Sequence, residues 1–81
     1  KVGAPQVSQW VVDQGKEFGE QNTFTREAVA DLLLGTHPLQ KARELEARIP
    51  ENEDAPAIQS QFSEAASWLR RVADIEGLVK G

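Results

Sequence analysis

The chain has 81 residues, 40% of them hydrophobic and 27% charged, with 13 acidic against 9 basic side chains and a net charge of −4. That size predicts one domain with a small core, and the balance is that of a folded globular protein rather than a disordered tail. The absence of cysteine excludes disulfides, thiolate metal sites and a cysteine nucleophile, and the acidic total counts against a broad basic surface for nucleic acid while leaving room for a local patch.

No apolar run approaches the roughly 20 residues that span a bilayer, and no signal-peptide pattern opens the chain. A cytoplasmic protein without membrane contact is expected. Methionine is absent even at position 1, which suggests a domain, residues 1–81, cut from a longer chain. Neither an internal repeat nor a low-complexity tract is visible.

In chain order, Lys1 to Ala4 reads as a loose end and Pro5 suits a first helical position. Val7, Trp10, Val11 and Phe18 then recur at helical spacing, the stripe of a short helix that Gly15 and Gly19 weaken, with a stop near Gln14. Residues 19–23 read as a polar loop.

Phe24 to Gly35 carries the clearest helix. Thr25 is placed as its N-cap, with Phe24 and Val29 at the spacing of a hydrophobic staple and Glu27 in the first turn. Ala28, Val29, Leu32 and Leu33 form its apolar face, and Gly35 supplies the stop. Pro38 opens the next helix with His37 or Thr36 as cap, and Pro50 ends it. Leu39, Ala42, Leu45 and Ile49 are its predicted buried edge; Gln40, Lys41, Arg43, Glu44, Ala47 and Arg48 face away, with Glu44 and Arg48 as an i, i+4 pair.

Residues 51–56 form an acidic loop, and the longest helix starts near Pro56. Its stripe is Ile58, Phe62, Ala65, Leu69 and Val72, widened by Trp68, Ile75 and Val79. Ser60, Ser63, Ser67, Arg71 and Asp74 lie opposite, Arg70 and Asp74 have the spacing of a surface pair, and Gly77 ends the helix. Period-two alternation is missing throughout. The fold class predicted is all-α, a bundle of about four helices with a helix-turn-helix-like central hairpin.

Catalytic chemistry finds little support. The sole histidine, His37, sits at a predicted helix start, and there is no nucleophile elbow, phosphate loop or dinucleotide fingerprint. The acidic run 51–54 lacks the alternate oxygens, central glycine and terminal glutamate of a calcium loop. No enzyme activity, cofactor or metal is expected.

Two stretches resemble DNA-binding families. Phe24 to Ile49, with Thr25, Ala30 and Gly35, resembles the bacterial helix-turn-helix regulators. That resemblance makes the second helix of the pair the reader of the major groove, through Thr36, Gln40, Lys41, Arg43 and Arg48. Ser63 to Val79 resembles the recognition helix and exit of a winged helix, ending in Gly77 and two apolar residues. There the contacts implied are Ser67, Arg70 and Arg71, with residues 38–56 an insertion. Either placement implies a small DNA-binding or transcription-regulatory domain.

A reading of a different class stands beside them. Leu34 falls on the Glu27–Asp31 side of its helix, and Val12 lies off the stripe of Val7, Trp10 and Val11. Apolar residues off the buried face suit a protein partner or a homodimer, and hence an interaction module without nucleic-acid binding.

Overall fold

The computed structural model describes residues 7–49 and 56–78, and in them the chain is all-α. Its helices are α1 (Gln9–Gly19), α2 (Thr23–Leu33), α3 (Pro38–Ala47) and α4 (Pro56–Ile75). The expectations placed on Pro5, Pro50, the acidic run 51–54 and Val79 lie outside the described residues. No helix among the described residues is long and apolar enough to cross a membrane.

α2 starts three residues earlier than expected. Its N-cap is Asn22 rather than Thr25: Oδ1 accepts from the Phe24 and Thr25 amides at 3.0 and 3.3 Å. The same side chain donates through Nδ2 to the Gln61 carbonyl of α4 at 2.9 Å. A threonine cap has no second polar arm of this kind, so Asn22 both starts α2 and ties it to α4. Thr25 is instead buried inside the helix and shares a face with Ala28, Val29 and Leu32. That face displaces Leu33, which is exposed.

The stop at Gly35 is as expected. Gly35 takes φ 95°, its amide donates to Leu32, and the Thr36 amide donates to Asp31, both at 3.0 Å. This is a Schellman closure, which satisfies carbonyls that the helix end would otherwise orphan. Pro38 then opens α3 at its first turn, and His37 Nδ1 accepts from the Leu39 amide at 3.1 Å. At the end of α4 the Gly77 and Leu78 amides close on Asp74 and Ala73 in the same pattern.

α1 departs most from its expected form. It runs through Gln14 to Gly19, and its buried residues are Val11, Val12, Gly15 and Gly19. Trp10 and Phe18, expected in the core, are exposed, whereas Val12, expected outside it, is buried. Gly15 explains the rotation. A Cβ there would fall onto Val29 Cγ2 and lie 2.6 Å from Trp68 Cη2, so α1 turns its smallest residues, not its largest, toward its neighbours. Gly15 meets Val29 and Gly19 meets Arg26, so α1 and α2 run antiparallel.

One core cluster draws on all four helices, with Val11, Leu32, Leu45, Leu69 and Val72 among its members. α1 packs chiefly on α2 and α3 on α4, with α2 bridging the two pairs. α3 buries Pro38, Lys41, Ala42 and Leu45, a face turned by about one residue from the predicted edge. Leu39 and Ile49 are left half-buried. On α4, Phe62, Trp68, Leu69 and Val72 are buried, while Ile58 and Ile75, expected in the stripe, are exposed. Glu76, just past α4, accepts from the Ser8 amide and hydroxyl at 2.6 and 3.2 Å. This fastens the end of α4 to the start of α1 and sets a carboxylate at the positive end of that helix.

Candidate nucleic-acid interface

Of the contacts expected on α3, the structure commits two to ion pairs with other parts of the fold, Lys41 buried and Arg48 exposed. Lys41, expected to face solvent, is 1% exposed. Its Nζ sits 2.6 Å from Glu27, 2.7 Å from Asp31 and 2.9 Å from Glu44. Burial alone would lower its pKa. The hydrogen bonds to Asp31, Glu27 and Glu44 outweigh that and hold the ammonium above the usual lysine range. A buried cation with three acceptors has no proton left for a phosphate, so Lys41 is a bridge between α2 and α3.

Arg48 is committed in a similar way. Its guanidinium donates to Glu27 at 2.6 Å and lies 5.8 and 5.4 Å from the centroids of Phe24 and Phe62. Those two rings stack at 3.7 Å between α2 and α4, so Arg48 caps an aromatic pair where three helices meet. Lys41 and then Arg48 hold the Glu27 carboxyl below the usual carboxylate range. The Glu44–Arg48 pair is long, at 4.0 Å. Gln40 and Arg43 are exposed; Thr36 is half-buried in the turn. Lys41, Arg43 and Arg48 therefore form no continuous positive surface.

The carboxylates of Glu27, Asp31 and Glu44 approach within 4.8 Å of one another, a geometry that suits a cation. Lys41 already supplies it. The sequence held a faint signal for this cluster: Glu27 and Asp31 are like charges at i, i+4, an arrangement that costs energy without a counterion.

The α4 set is different. Ser67, Arg70 and Arg71 are all exposed, and Ser60, Ser63, Glu64 and Asp74 share their side of the helix. Arg71, Ser63 and Ser67 border a cleft of about 670 Å³ whose opposite wall is Glu17, Phe18, Gln21, Asn22 and Thr25. Trp68 lies at its base, edge-on to Phe18 with centroids 6.3 Å apart, and its indole donates to Gln14 at 3.3 Å. Arg71 has no ion pair among the described residues. Arg70, expected to pair with Asp74, reaches Glu46 of α3 instead, with Nε to Oε2 at 2.9 Å and NH2 to Oε1 at 2.6 Å.

Of the two residues expected at a partner surface, Leu34 is exposed and Val12 is not. Val12 is withdrawn from that surface because α1 turns it into the core. Trp10, Leu33 and Ile75 take its place beside Leu34, with exposures from 42% to 57% for the four. The antiparallel register of α1 and α2 carries Trp10 to the level of Leu33 and Leu34. The Ser8–Glu76 bonds bring the end of α4 to the same level. All four residues thus share one end of the bundle.

Comparison with protein-family models, with curated proteins and with solved structures found no match to this chain.

Proposed function

We propose that this chain is a small helix-turn-helix-type DNA-binding domain that meets DNA through α4 rather than α3. The observation carrying this reading is the outward side of α4. It presents Ser63, Ser67, Arg70 and Arg71 to solvent, while the opposite side buries Phe62, Leu69 and Val72. Short hydroxyl side chains in a row let a helix approach a groove closely, and hydroxyls and guanidinium groups are donors to phosphates and base edges. On α3, by contrast, Lys41 is buried under three carboxylates and Arg48 is ion-paired to Glu27 and seated on the Phe24–Phe62 pair, whereas on α4 Arg71 has no ion pair among the described residues and Arg70 pairs only with the exposed Glu46.

Glu64 and Asp74 balance the two arginines and Glu46 pairs with Arg70, so the face carries no net positive charge. The affinity for a duplex of mixed sequence is accordingly expected in the weak range, on the order of tens of micromolar. Fluorescence anisotropy of such a labelled duplex, at two salt concentrations, tests the reading. Binding that weakens steeply with salt and is lost in Arg70→Ala with Arg71→Ala, but kept in Arg43→Ala, is the expected result. Absence of binding at low salt overturns it.

A second reading rests on the apolar end of the bundle. Trp10, Leu33, Leu34 and Ile75 gathered at one end suit contact with a second copy of the chain. Under this reading sedimentation shows a mass that rises with concentration and returns to the monomer value in Leu34→Glu. A monomer at every concentration sinks it.

A further inference from the structure

Glu46 stands on the outward side of α3 and presents both carboxylate oxygens to the fork of Arg70, at 2.9 and 2.6 Å. A bidentate carboxylate occupies the same two parallel donors that a guanidinium offers to a phosphate. We propose that Glu46 is a built-in competitor for DNA phosphate, masking Arg70 in the free protein and yielding it on binding. The inference rests on the DNA-binding reading above and adds to it a control of affinity supplied by α3.

Three features suit the pair to exchange. Both side chains are well exposed, 48% for Arg70 and 39% for Glu46, so the pair opens without disturbing the core. Glu46 is a carboxylate at neutral pH, as an ordinary glutamate is, and its hydrogen bond to Arg70 holds the carboxyl further below the usual carboxylate range. Arg71, the next residue, has no ion pair among the described residues and is free to make the first phosphate contact. Lys41 is the contrast: it is buried under three carboxylates and cannot exchange in this way.

The test is the same duplex titration with the wild-type chain, Glu46→Gln, Arg70→Ala, the double variant and Asp13→Asn. The last controls for the loss of one negative charge on α1, and circular dichroism checks that each variant is folded. Glu46→Gln is expected to bind about two- to fivefold tighter, the equilibrium equivalent of releasing one exposed ion pair. That gain is expected to vanish when Arg70 is also alanine, and Asp13→Asn is not expected to reproduce it. An unchanged affinity in Glu46→Gln, a gain that persists without Arg70, or an equal gain in Asp13→Asn overturns the inference while leaving DNA binding intact. Absence of binding by all five proteins overturns the DNA reading itself, and this inference with it.

Discussion

At the residue scale the fold turns on Lys41, whose ammonium gathers carboxylates from Glu27, Asp31 and Glu44. Replacing it with methionine keeps the aliphatic stem but leaves three acids facing one another. Breaking a buried ion pair costs about 3–5 kcal/mol; here the acids retain access to water, so Lys41→Met is expected to lose about 1–3 kcal/mol in urea unfolding. The pH dependence has a definite sign. Glu27 is held below its ordinary value of 4.5, so its contribution is present above that pH and is lost as the pH falls further. Lys41 is held above its ordinary 10.5, so its contribution is complete below that pH and is lost as the pH rises beyond it. Stability measured against pH is expected to be flat between these limits for the cluster, and Lys41→Met is expected to remove the alkaline limb. None of this was legible from periodicity. Leu39, Ala42, Leu45 and Ile49 make a good apolar edge, and only the tertiary approach of Glu27 and Asp31 turns α3 so that Lys41 is covered.

Helix ends were the legible part at the scale of elements. Gly35, Pro38 with His37, Pro56 and Gly77 each stand where the sequence places them, because their conformational preferences are local. The N-cap of α2 was not, because Thr25 and Asn22 are both good caps and the choice is made by Gln61 of α4. α1 was misread for a related reason: glycine is a poor helix residue in isolation, yet Gly15 is where α2 and Trp68 close on α1. This gives an expectation opposite to helix propensity. Gly15→Ala, which raises intrinsic helicity by up to about 1 kcal/mol, is expected to destabilise the protein by about 1–3 kcal/mol through overpacking against Val29 and Trp68. Thermal and urea unfolding check the sign, and a stabilised variant would contradict the packing described for α1.

On the scale of the whole molecule, the all-α class and the number of helices were legible, since four amphipathic stretches separated by glycine, proline and polar turns leave little else. The candidate interface was legible only in part. Ser67, Arg70 and Arg71 share an exposed face because α4 is long and strongly sided. The α3 residues do not form such a face, because carboxylates of α2 and α3 engage Lys41 and Arg48, and a helix read alone does not reveal which of its charges its neighbours will claim. The proposed function turns on DNA meeting the outward face of α4. The most direct measurement is chemical-shift mapping of the isotope-labelled protein titrated with a short unlabelled duplex. Perturbed amides at Ser63, Ser67, Arg70 and Arg71, fading as salt is added, are the expected result. Perturbations confined to Gln40 and Arg43, or to Trp10, Leu33 and Leu34, or none at all, would contradict it.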